Sequence, residues 1–267
     1  MGDDWHDEEV REYLYLDDRV KMPKQPYFNR RRRNVKDPVE FSISAAEEAK
    51  KHLHKIGLWT AASLAPYPLS HIVKEIKDGD LERARRTLVS FCPLGFIERK
   101  LINTWSPITA FRDRSLVFQE ALFAHQNAKY ALSIYTLNPQ IEGVISDWIA
   151  GLEGQNLETQ FSKKIDQFYA LLKNIPQRGF YLEKTIESTY EFLKDGQPTQ
   201  SFKNWLDKID PSFPGRHAVA HGKYSNDMFT EENSIKLFLM LDTICDFMMI
   251  YEHSVLGRDF SRSSPGS

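Results

Sequence analysis

The stretch from about residue 231 to 255 constrains the fold more than any other part of the chain. Its apolar residues Ile235, Phe238, Leu239, Leu241, Ile244, Phe247, Met248 and Tyr251 leave almost no polar stripe, and Thr230 stands where an N-cap belongs. A helix that is apolar on most sides has to be surrounded, either by the rest of its own chain or by a second copy. Met240, Met248 and Met249 read as core filler within it. This helix is therefore expected to be central in the fold or to lie at a dimer interface.

The remaining sequence supplies candidates for further helices. Ser44 followed by Glu47 fits a capping box that opens a helix over 44–56. Short helices are expected at 70–77 and 81–92, split by Asp78-Gly79-Asp80, with Arg83, Arg85 and Arg86 on a solvated face. Pro66, Pro68, Pro93 and Pro107 mark loops. Ser115 caps a long helix carrying Leu116, Phe118, Leu122, Phe123, Tyr130 and Ile134, which Asn138-Pro139 interrupts. A helix over 140–152 follows, ended by Gly151, then one from Asn156 to about 173 and one over 181–194 before the Asp195-Gly196 turn. Strand signals are scarce, so the fold class is all-α. The expected divisions are a charged arm at 1–40, a helical subdomain at 41–109, a helical domain at 110–257 and a frayed tail at 258–267.

Composition narrows the function classes. The 267 residues suit one large domain or two small ones. Lys+Arg 35 against Asp+Glu 37 gives a net charge of -2, so any nucleic-acid surface must be local. Cys92 and Cys245 alone make neither a disulfide framework nor a four-cysteine zinc site, and a reducing, cytoplasmic setting is expected. The first thirty residues are charged rather than apolar, and no apolar run reaches the roughly 18 to 20 residues of a membrane span, so no membrane partner is expected. Residues 1–18 hold eight acids and one base, Arg11, whereas residues 19–36 hold eight bases and no acid. The basic block, with Arg30, Arg31, Arg32 and Arg33 beside Tyr27 and Phe28, either follows an RNA backbone or neutralises its acidic neighbour.

Chemistry concentrates in Pro214-Gly215-Arg216-His217-Ala218-Val219-Ala220-His221-Gly222. Ser212 or Gly215 starts a short helix here and Gly222 stops it, which places Arg216 and His217 in the first turn and His221 in the last. Cations at a helix N-terminus oppose the macrodipole, and a bound phosphate reverses that penalty. Arg216 and His221 are about 140° apart around an ideal helix, so the arginine must curl toward the histidine or a second subunit must complete the site. His217 and His221 share a face, and His217 is placed to orient His221.

This segment resembles the motif of HEPN domains, helical bundles found in many prokaryotic defence ribonucleases, whose signature is Arg, four to six residues, then His. Arg216, His217 and His221 match it, and Asn138-Pro139-Gln140-Ile141-Glu142-Gly143 is similar to a sequence in HEPN proteins that end their motif in His-Gly. Gly215 departs from the Asn expected before the arginine. The resemblance covers about residues 110 to 256 and leaves the first hundred as a helical extension. It implies a metal-independent endoribonuclease with no cofactor, working as a homodimer, in the setting of a toxin or antiviral abortive-infection effector restrained by a regulatory partner or antitoxin. His221 would move the 2′-OH or 5′-oxygen proton, Arg216 would hold the phosphoryl charge, and Glu142 would hold either of them.

Two other classes compete. His217 and His221 have zinc-ligand spacing for a metal-dependent hydrolase, with Asp227 or Glu142 as third ligand, but the segment lacks the Glu of His-Glu-x-x-His. A non-catalytic dimerising or RNA-binding module is the other. His52, His54, His71, His125 and His253 read as isolated surface or core residues.

Overall fold

The computed structural model describes residues 52–61, 66–152, 154–176, 178–195, 213–215, 219 and 226–258. The chain separates into two units, Met1–Phe41 and Ser42–Ser267, and every described residue belongs to the second. The charged arm, its arginines 30–33, most of the helix expected over 44–56 and the tail beyond 258 lie outside the described residues.

The fold is all-α, and among the described residues every regular element is helical. The α-helices are α1 (Pro66–Lys77), α2 (Leu81–Phe91), α3 (Leu94–Arg99), α4 (Thr109–Arg112), α5 (Ser115–Gln126), α6 (Tyr130–Ala150), α7 (Phe161–Leu172), α8 (Phe180–Asp195) and α9 (Glu231–Ser254). A single π-turn, Lys100–Thr104, continues α3, and short 3-10 turns occupy His54–Ile56 and Asn226–Met228. No helix among the described residues is long and apolar enough to cross a membrane.

Helix α9 is the axis of the core. Every residue from 233 to 245 is buried, so it is covered on all sides, by α6, α2 and the π-turn among others. Thr230 caps it by accepting from the Asn233 amide. Its polar residues bond both within the helix, as Thr243 does to the Leu239 carbonyl, and across the fold. The buried Lys236 ammonium donates to the Ile56 carbonyl and pairs with Glu232, while Trp148 Nε1 donates to Glu252 Oε1 at 2.8 Å and Arg258 Nη1 to Glu252 Oε2 at 2.7 Å. Around α9, α5 packs on α6, α6 on α7, α7 on α8 and α1 on α2.

Several expectations are corrected. Pro66 and Pro68 do not mark a loop; they open α1, where the missing proline N–H is one that has no partner in a first turn anyway. Pro93 caps α3, which the sequence reading did not resolve. The long helix after Ser115 breaks at residues 127–129 rather than at Asn138-Pro139. There Ala128 adopts φ 55°, its N–H donates to His125 O and the Lys129 N–H donates to Ala124 O, a Schellman closure with alanine in the left-handed position. Helix α6 then runs unbroken through Pro139. The third helix starts at Phe161 after Gln160, not at Asn156. The stretches 41–109 and 110–257 share one apolar core, in which Leu53, Trp59, Leu88 and Trp105 stand with Phe118, Ile145 and Phe238.

Candidate functional site

Asn138 lies on the inner side of α6, 4% exposed, and its Nδ2 donates to the carbonyl oxygen of Pro214 at 2.5 Å. The two segments that carry the sequence argument, the Asn138–Gly143 stretch and the one that begins at Pro214, thus meet directly. The second segment is seated from both ends. Phe213 is fully buried, with its ring edge-on to Phe192 at 5.2 Å and to Trp59 at 6.3 Å. Val219 is buried in the core, and its N–H donates to Gly215 O at 3.1 Å, the i to i−4 spacing of an α-helical turn. Arg216, His217 and His221 lie outside the described residues.

Glu142 stands one turn beyond Asn138 and about 40° around the same helix. Its Oε1 accepts from Lys164 Nζ of α7 at 2.8 Å, with both side chains largely buried. The Glu142 carboxylate is therefore paired with a cation from α7. Lys164 belongs to no motif in the sequence. A signal was present, because Lys164 is four residues before Phe168 and beside Ile165, on the apolar side of an amphipathic helix where a lysine needs a buried partner.

The opposite side of α6 explains Gly143. Arg114 lays its guanidinium across this glycine, donating from Nε to Gln140 Oε1 at 3.1 Å and from Nη1 to Ala110 O at 3.0 Å, and pairing with Asp147 at 2.6 Å. A Cβ on residue 143 would sit 3.0 Å from Nη2. Gln140, Gly143 and Asp147 lie roughly 140° or more around the helix from Asn138, so Arg114 braces the back of α6 and takes no part in the face that meets Pro214.

The other histidine-bearing clusters are structural. His125 Nδ1 is 2.8 Å from Ser234 Oγ, which is 2.8 Å from Ser133 Oγ, and all three side chains are buried, so this serine–histidine contact has no access for a substrate. Burial pushes His125 down to about 4. Asp227, a candidate third zinc ligand, is exposed in the Asn226–Met228 turn, and Glu142, the other, accepts a hydrogen bond from Lys164. Among the described residues no group of three His, Cys, Asp or Glu side chains is arranged to hold a metal ion.

No protein-family model matches the chain, and neither a curated protein nor a solved structure is similar to it.

Proposed function

We propose that the chain is a HEPN-like, metal-independent endoribonuclease whose chemistry is carried by Arg216 and His221. One observation carries the reading: the buried Asn138 amide holds the Pro214 carbonyl, two residues before Arg216, so that the two segments on which the resemblance rests form one junction in an all-α fold. A buried side-chain amide committed to a loop carbonyl is a device for fixing where the following residues begin.

In this reading His221 accepts the proton of a ribose 2′-OH, the 2′-oxygen attacks phosphorus, and the P–O5′ bond breaks as the 5′-oxygen takes up a proton. Arg216 stabilises the charge on the non-bridging oxygens. The products are 2′,3′-cyclic phosphate and 5′-OH ends, and DNA, without the 2′-OH, is inert. A homodimer supplies two motifs and divides the two proton transfers between them. His217 orients His221, Glu142 steadies the motif from α6, and Arg30 to Arg33 hold the RNA backbone. Action as a cytoplasmic toxin or anti-phage effector under a regulatory partner or antitoxin follows from the resemblance alone.

The test is incubation of wild type, His221→Ala and Asn138→Ala with a mixed RNA pool in EDTA, with the product termini mapped. Cyclic phosphates from wild type, none from His221→Ala and a strongly reduced yield from a folded Asn138→Ala support the reading. Equal cleavage by wild type and His221→Ala overturns it. RNA retention without cleavage in either EDTA or divalent metal replaces it by a binding module.

A further inference from the structure

The π-turn Lys100–Thr104 is tied to α9 at both of its ends by a single carboxylate. The turn closes with the Trp105 N–H donating to Lys100 O at 3.0 Å, an i to i−5 bond. Trp105 Nε1 donates to Asp242 Oδ1 at 2.9 Å, and the Lys100 ammonium lies 3.2 Å from Asp242 Oδ2. The last carbonyl of the turn, that of Thr104, accepts from the buried Cys245 thiol at 3.6 Å. One helical turn beyond Asp242, Asp246 places its Oδ1 3.7 Å from the same ammonium. Asp242 is almost fully enclosed, whereas the Lys100 and Asp246 side chains are 21% and 19% exposed.

The cluster therefore sets two carboxylates against one ammonium in a largely dry place. One negative charge is in excess, and Asp246, at the wet edge, is the group able to exchange a proton with solvent. We propose that Lys100, Asp242 and Asp246 form a proton-operated clasp that sets how firmly the π-turn is held to helix α9. With Asp246 protonated, Lys100 serves Asp242 alone and the clasp is neutral. With Asp246 ionised, the two carboxylates repel and share the lysine, and the turn is held less tightly.

The groups around Asp246 support this order of events. Lys100 faces it from the turn and Asp242 and Cys245 from α9 itself. Cys92, at the end of α2, faces Asp242, and Glu252 two turns on is held by Trp148 of α6 and by Arg258. Burial first and the Asp242 charge second push Asp246 up to about 7, with Lys100 opposing them. Burial works against the Lys100 ammonium, yet the two carboxylates outweigh it and raise its affinity for its proton. A carboxyl raised in the folded state stabilises fully below its ordinary range near 4, and that advantage disappears as pH rises to about 7. The turn is thus tighter in mild acid and looser above neutrality, with Ile102 and Asn103 on its exposed side.

The experiment uses the full chain with ¹⁵N-labelled tryptophan. The Trp105 indole N–H resonance, assigned by its loss in Trp105→Phe, should shift with a midpoint near pH 7 and stay flat in Asp246→Asn. In hydrogen exchange read by mass spectrometry, amides of residues 101–104 should exchange faster at pH 8 than at pH 6 beyond the intrinsic dependence in wild type only. An indole signal insensitive to pH, or one that titrates equally in Asp246→Asn, overturns the proposal. A thermal comparison needs no assignment: the melting temperature of Asp246→Asn should exceed that of wild type by an amount that grows between pH 5 and 7 and then levels. A constant difference over that range also overturns it.

Discussion

Burial has turned His125 into a hydrogen-bond partner that stays neutral near neutral pH. Its ring sits edge-on to Tyr130 at 5.5 Å and to Phe238 at 5.9 Å, and its one polar contact is to the Ser234 hydroxyl. The native state holds it near 4 against an ordinary 6.5, so between those values the unfolded chain binds a proton that the folded chain refuses. Stability is fully present above the unfolded value and falls as pH drops below it, by about 1.4 kcal/mol per pH unit. Wild type should therefore lose about 2 kcal/mol more than His125→Asn between pH 7 and pH 5 in urea unfolding, because asparagine offers the serine a partner without a titrating group. Equal losses would show that the native ring is protonated as readily as in solution. Lys236 makes the complementary case, since a lysine inside an apolar helix is tolerated where Glu232, the Ile56 carbonyl and Asn233 Oδ1 receive it. Only the Glu232–Lys236 pair, four residues apart, is readable from spacing, because Ser234 is 109 positions from His125 and Ile56 is 180 positions from Lys236.

At the level of elements, local signals were legible and tertiary ones were not. Thr230 and the Asp80 turn were readable because a cap binds an amide only three residues away, at Asn233 and Arg83 respectively. The end of α5 was hidden, since its left-handed residue is Ala128 where glycine would have announced it. The π-turn was equally hidden, being defined by Asp242 more than a hundred residues away. Pro139 carries the opposite signal, a stop, yet lies inside α6. It cannot donate to the carbonyl of Tyr135, yet the packing of Ile134, Leu137, Ile141, Val144 and Ile145 against the core carries the helix across the gap. Replacing this exposed proline by alanine restores the missing bond, and Pro139→Ala should raise stability by about 2 kcal/mol in chemical denaturation. An unchanged or lowered midpoint would mean instead that the proline shapes the helix so that Asn138 reaches Pro214, which couples the irregularity to the candidate site.

At the scale of the whole described unit, the core runs without interruption through the boundary expected near residue 109. Trp105 and Asp242, Ile56 and Lys236, and Thr60 and Ser188 are bonded across that boundary, and Trp59 forms part of the seat of Phe213. The junction at Pro214 therefore depends on residues from the first hundred, although the motif resemblance does not extend to them. A fragment of residues 110–258 would lose Leu53, Trp59, Leu88 and Trp105 from the core and leave Asp242 and Lys236 without their distant partners. Several core truncations of about 2–5 kcal/mol each exceed the stability of an ordinary domain. The fragment should show helical far-UV dichroism with little near-UV signal and no cooperative unfolding, whereas the intact chain should unfold in one transition when followed by tryptophan fluorescence and by far-UV dichroism. A fragment that unfolds cooperatively would make residues 110–258 an independent domain and free the candidate site from the preceding helices. The expected failure makes those helices part of the site's scaffold, so that substitutions at Trp59 should reduce RNA cleavage by displacing Phe213, against which its ring packs.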